Sequence, residues 1–555
     1  MKKVKRYLSL LLAAGMLLTV LTGCSEKAET EENFVLRVCV CDQIASLDPA
    51  MNTDTDAQSV YYALFENLMR YVDDGTGSAV LTNGMAKEYT EVSNYDGTVS
   101  YEFTLRSSAR WSDGKKVTAD DFVYAWRRLA DPATGSPNCD LLSVIQGYDT
   151  VRETGKASAL AVSAKDDKTF CVTLSAPCAY FLDGVCASVA AMPLRRDIVE
   201  QDPDNWATTF NIIANGAYRV GTWTKESYLQ TKRNEKYYES KLVGPDALRF
   251  VFAADAESAY ALYESGEVDY VSTLPQRVLE QEELRESWTA TPLFATYCVL
   301  YNNLTDVFSD EHARKAFDLA IDRAAIAASA GAEFSPAGGL VPGGVRDSGE
   351  QEDGADYRTV GGELCAIEEE TYPDRCAAAL GEITEAGYYN GAGFPALEYL
   401  YSESDEIGGI VALALQETWN NVLGVKVQLR SVSEEEYQAL IAAGDYMLAG
   451  QYLTAQQNDA MSFLECFSST GVDNTIRYSN HTYDVLMGVA AKSENVSARI
   501  AFLHDAESML LEATALSPVV FGASAHMLRD GLQGIYYDGL GNSYLTGIIQ
   551  TDEVQ

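Results

Sequence analysis

Histidine is nearly missing from this chain of 555 residues: there are four, His312, His481, His504 and His526. His312 falls at the third position of an expected helix, where it faces solvent. His504 has no His or Cys at metal-ligand spacing. No H-E-x-x-H, G-x-S-x-G elbow, Walker loop or dinucleotide glycine fingerprint occurs. The chain therefore reads as a non-enzyme with no cofactor and no metal, although a carboxylate pair of the glycosidase kind leaves no trace in spacing. Positive charge is scarce as well. Forty-one Lys and Arg stand against 81 Asp and Glu, a net charge of −40. That field excludes nucleic acid and anionic lipid surfaces as partners. C-x-x-C is absent, which removes zinc ribbons and thioredoxin-like pairs.

Long apolar runs are also absent, with one exception at the start. Lys2, Lys3, Lys5 and Arg6 form a basic head, and Leu8 to Val20 is largely apolar. Such a run is too short for a retained membrane span and reads as an export signal over 1–23. Leu21-Thr22-Gly23-Cys24 resembles the lipobox of bacterial lipoproteins, which implies lipid on the sulfur of Cys24 and a membrane-anchored protein on the outer face of the cytoplasmic membrane. Residues 24–33, continuing as SEKAETEEN, have nothing to bury and suit a flexible tether. The signal carries four positive and no negative charges, so the mature chain is near −44.

What remains is rich in core material: 47% apolar and 10% aromatic residues over more than 500 positions, enough for two or three lobes. Ten cysteines follow Cys24, among them Cys39-Val40-Cys41. Cys365 and Cys376 lie in a loop-like stretch and are candidates to pair, whereas Cys171, Cys186 and Cys298 read as small core residues. Strand patterns (Phe34–Val40, Tyr101–Leu105, Lys168–Leu174, Leu248–Ala253, Val425–Leu429) alternate with helical ones. Thr118–Asp121 and Ser433–Glu436 read as capping boxes, and Ser309 as an N-cap. The alternation without internal repeat indicates a mixed α/β (α+β) protein. Residues 345–374 are acidic, aperiodic and Gly-rich, and read as a surface insertion.

Eight motifs in order then carry a resemblance: Ser46-Leu-Asp-Pro49, Leu64-Phe-Glu-Asn-Leu68, Trp111-Ser-Asp-Gly114, Val117–Tyr124, Trp126-Arg-Arg128, Asn211–Tyr218, Leu262–Asp269 and Ala320-Ile-Asp-Arg323. Together, from about Leu36 to Tyr544, the chain resembles the oligopeptide-binding proteins of bacterial ABC importers (solute-binding protein family 5). The resemblance implies a periplasmic-binding-protein-like, two-lobed hinge fold with an additional smaller domain. Lobe I is expected at 34–65, 186–290 and 516–555, the smaller lobe II at 66–185, and lobe III at 291–515. It also implies a ligand, an oligopeptide held through its backbone between lobes, with the ABC permease and ATPase subunits as partners and a monomeric carrier. Thr53, Asp54 and Thr55 fall where the family offers a backbone edge to the peptide. The motifs themselves read as structural: Trp111–Gly114 shapes a turn, Asn215-Gly216 a tight bend, and Arg127, Arg128 and Arg323 are expected to be solvated.

One departure matters. The family's Asp that pairs with the ligand's α-ammonium group falls on Gln456, a neutral amide. Arginines that meet ligand carboxylates fall on Ile441 and Gly450, and two cysteines that pair in some members fall on Ala295 and Thr454. Three readings stay open: Asp459 replaces the lost carboxylate; the peptide is held without charge pairing at its end; or the same scaffold binds a non-peptide solute such as a sugar or chelated metal. A further alternative is a surface receptor for peptide signals that no longer feeds a permease.

Overall fold

The structure, a computed structural model, describes residues 34–41, 43–210, 212–347, 355–469, 471, 474–493 and 495–551. The signal, the tether and Cys24 lie outside these residues. Among the described residues no helix is long and apolar enough to cross a membrane.

Local signals set the elements. The helix Ala119–Ala130 opens on the expected box, where Asp121 accepts the Thr118 N–H at 2.8 Å, and stops at Asp131 before Pro132. Ser433 caps Glu434–Ala443, and Gly444 at φ 72° ends it. Ser309 is not a cap: Asp310 takes that place and accepts the His312 N–H at 2.9 Å, a carboxylate being the stronger acceptor one residue nearer the first turn. His312 is exposed and faces Glu382.

Two strands of 13 residues organise the molecule, Thr289–Tyr301 and Leu516–Leu528. They run antiparallel through the middle of one large sheet. On one flank, Leu448–Thr454, Leu397–Ser402 and Val427–Val432 extend the sheet from the second half of the first strand. On the other, Tyr270–Val271 joins the end of the second strand to Val35–Cys41, Ala247–Ala253 and the meander Tyr228–Arg233 and Tyr218–Thr224. A separate antiparallel sheet, Ala86–Ser93, Val99–Leu105, Thr169–Leu174 and Val162–Asp166, is covered by the helix Ala119–Ala130. Its apolar face is continuous with residues 36–69 and 185–250 in one core, while 294–520 buries its own side chains separately. The four-stranded sheet thus shares its burial with residues 36–69 and 185–250, and these together form one body, residues 294–520 the other, with the two long strands between them.

The motifs are the joints of this scaffold. Asp48 of the first grips Arg128 of the fifth, with oxygen–nitrogen distances of 3.0 and 2.6 Å. Trp111 Nε1 donates to Asp121 at 3.1 Å. Asn215 exchanges two hydrogen bonds with the backbone of Glu66. Asp269 receives Arg37 side-on. The expectation that Arg128 and Arg323 are solvated is corrected here. Arg323 is fully buried, donating to Pro518 O at 2.8 Å and pairing with Asp318, so its charge is met inside the fold and not by water. Arg127 bonds the Val162 carbonyl.

Two other expectations also change. Residues 355–374 are not a simple surface insertion. Tyr357 is buried and stacks on His504, and Arg358 pairs with the wholly buried Glu507. Cys365 and Cys376 are free thiols, as are the other eight described cysteines.

Candidate functional site

The ladder between the two long strands breaks at mid-length. Pro292 stands opposite Ala523 and Thr296 opposite Phe521, so Leu293, Phe294 and Ala295 face the single residue Gly522. Three residues against one make a bulge that bends the strand and re-aims its side chains. A Cβ at Gly522 would lie 2.9 Å from the Ala295 Cβ, so the bulge requires glycine there. Phe294 turns aside to donate its N–H to Gly539 O at 2.6 Å and to accept from Ala455 N at 2.8 Å. The bend sits where the chain passes from one body to the other.

A cavity of about 700 Å³ opens on this bulge, within the range of ligand sites. Pro292, Leu293, Phe294 and Phe521 make its apolar floor. Tyr71 and Ser78 reach it from one body, Glu333 and Asn458 from the other. A second cavity of about 990 Å³ shares Ser78, Ala290, Thr291, Pro292 and Tyr537 with it, so the two form one cleft along the hinge.

The site residues expected from sequence fall around this cleft in different states. Thr53 and Thr55 are exposed and Asp54 half-buried, in an irregular link shaped by the Asn52 side chain. A Cβ at Gly541 would meet Thr55 at 3.6 Å and Leu293 at 3.7 Å, which sets this link at the cleft's rim. Gln456 is exposed. It follows the strand Leu448–Thr454, whose Thr454 is the direct cross-strand partner of Ala295. Asp459 is a different matter. It is buried, and both oxygens are taken by Arg499, at 2.8 and 2.9 Å, with Met461 N adding a third donor to Oδ1. A carboxylate so committed does not stand in for a missing ammonium partner, and that reading is corrected.

Sequence reasoning missed the contact that joins the two bodies beyond the hinge. Asp183, with 3% of its side chain exposed, pairs with Arg346 across the gap. Burial raises the Asp183 carboxyl to about 6, Arg346 opposing and Asp459 adding to the rise. Arg346 is further fixed by its N–H to Asn458 Oδ1 at 2.9 Å. Next to it, a Cβ at Gly184 would lie 2.7 Å from the Gln457 Cγ, so glycine lets the bodies touch. No local pattern marks Asp183, and Arg346 lay in the stretch read as an insertion. Among the described residues no cluster of His, Cys, Asp and Glu is arranged to hold a metal.

Comparison with known proteins agrees with this architecture. Residues 81–475 match the model of the bacterial extracellular solute-binding proteins, family 5. The dipeptide-binding protein DppE of Bacillus subtilis is 27% identical over 548 residues, covering 96% of this chain and 97% of that protein. The unliganded open form of the periplasmic murein tripeptide binding protein MppA superposes with a TM-score of 0.79 at 25% identity, covering 94% of this chain and 98% of the other. Haemophilus influenzae OppA in complex with the peptide RPPGFSPFR gives 0.68 at 26% identity, covering 93% and 99%.

Proposed function

This chain belongs to the bacterial extracellular solute-binding proteins of family 5, and from that premise we propose that it captures short peptides in the hinge cleft and delivers them, unaltered, to an ABC permease from a lipid anchor at Cys24. The carrying observation is the cleft itself: an apolar floor on a bulged hinge, walled by both bodies, with the link that holds Thr55 at its rim. A peptide laid there has its main chain within reach of strand-like hydrogen bonding, while a roomy cavity accepts varied side chains with water as filler. Closure then follows from contacts that the ligand makes only when the bodies meet.

The test is thermal stabilisation of the mature protein. A ligand at 100 times Kd adds about 2.7 kcal/mol to the native state, so a di- to pentapeptide library is expected to raise Tm. A rise with oligosaccharides or metal chelates and none with peptides favours the second reading, a non-peptide solute on the same scaffold, to which the uncharged Ile441, Gly450 and Gln456 lend support. Replacing Cys24 with Ala is expected to move the protein from the detergent phase to the aqueous phase on partition; retention in detergent refutes the anchor.

A further inference from the structure

The 700 Å³ cavity on the bulge is lined by three carboxylates, Glu333, Asp356 and Asp538, and one cation, Arg358. Their commitments differ. Asp356 caps a helix through the Thr359 N–H at 2.7 Å and also accepts from Gly344 N. Asp538 takes backbone N–H groups from Leu540 and Asn542 and side-chain donors from Asn542 and Tyr544, at 2.8–3.0 Å. Arg358 is spent on Glu507. Glu333 alone of these has an oxygen, Oε2, withdrawn from solvent with no hydrogen-bond partner. Leaving such an atom unpaired is unfavourable by more than an ordinary bond gains, so the site is built for a donor that arrives from elsewhere.

We propose that Glu333 receives the α-ammonium group of the bound peptide, doing in this chain what residue 456 does not. The inference rests on the peptide reading above and assigns the anchor within it. Position supports it in two ways. Two residues on, Ser335 registers with Phe521 at the edge of the hinge bulge, so Glu333 is held against the cleft floor by a strand pairing. Asn458, two residues beyond Gln456, lines the same cavity as Glu333. Burial also raises the Glu333 carboxyl, opposed by its own backbone N–H and by Arg285. An ammonium brings three donors and a full charge, and satisfies both needs.

The experiment compares trialanine with N-acetyl-trialanine by calorimetry, on the mature protein and its Glu333→Gln variant. Wild type is expected to prefer the free amine. The variant is expected to lose about tenfold in affinity for trialanine, about 1.4 kcal/mol, and to bind the acetylated peptide within twofold of wild type. Glu333→Ala is expected to give the same pattern, and an unchanged far-ultraviolet spectrum controls for folding. Equal losses for both peptides, or none for either, overturn the assignment of Glu333 while leaving the peptide reading intact. Wild type that binds neither peptide overturns the peptide reading, and this assignment with it.

Discussion

Asp183 gives the sharpest measurement of what joins the two bodies. Its carboxyl is raised to about 6, first by burial, against an ordinary value near 3.9. A folded-state value above the unfolded one means that its contribution to stability is complete below about pH 4 and is lost as pH rises through 6. At pH 7.5 the ionised acid therefore costs about 3 kcal/mol, at 1.36 kcal/mol per pH unit. Asp183→Asn keeps the shape of the neutral acid and an oxygen to accept from Arg346. It is expected to raise the urea midpoint of the mature protein at pH 7.5 by an amount equivalent to as much as about 3 kcal/mol, and to change it little at pH 4. Arg346→Met runs the other way. It strands a buried carboxylate, costing about 3–5 kcal/mol at pH 7.5, with relief as the acid protonates. An Asn variant no more stable than wild type at pH 7.5, or a gap of the same size at both pH values, would refute the reasoning.

Other consequences are simpler. Glu507→Ala removes the partner of buried Arg358 and orphans the N–H groups of Leu340 and Val341, which donate to it at 2.8 and 3.0 Å; a loss of about 3–5 kcal/mol in chemical denaturation is expected, and a loss below about 1 kcal/mol contradicts the buried pair. Gly216→Ala would bring a Cβ to 2.7 Å from Leu64 C and Phe65 N, both backbone atoms that have nowhere to go; a Tm drop is expected, and an unchanged Tm refutes the close approach. The Ala455-to-Phe294 bond makes 294/455 the hydrogen-bonded pair, so 295/454 is the close pair, with Cα atoms about 4.5 Å apart. Ala295→Cys with Thr454→Cys is accordingly expected to oxidise to a disulfide, read by mass and thiol titration; persistent free thiols would show the register to be wrong.

What was legible in the sequence was what short-range physics writes there. Thr118 and Asp121 cap a helix whether or not anything else has folded, and Ser433 does the same; alternation marks Val35–Cys41 and Val99–Leu105 because one face must be dry. The motifs were legible as well, but their meaning was not. Arg128 looks like a surface charge until the fold brings Asp48 to it across 80 residues, and Arg323 until the chain returns 195 residues later with Pro518 O. Asp459 looked available because its partner, Arg499, is 40 residues away in a helix with no pattern of its own.

The same reasoning explains why the binding chemistry is harder to see than the frame. Joints such as Asp48–Arg128 are between fixed parts, so each residue type is demanded by its partner. The cleft is made to meet a molecule that is not part of the chain, and its signature is a deficit: an oxygen of Glu333 without a donor, a bulge where a ladder should run, a glycine where two bodies must touch. Deficits have no sequence period. They become visible only against the polar groups around them, and in this cavity the carboxylates of Asp356 and Asp538 are both met within the chain. Specificity in such a carrier is then a property of what the scaffold leaves unpaired.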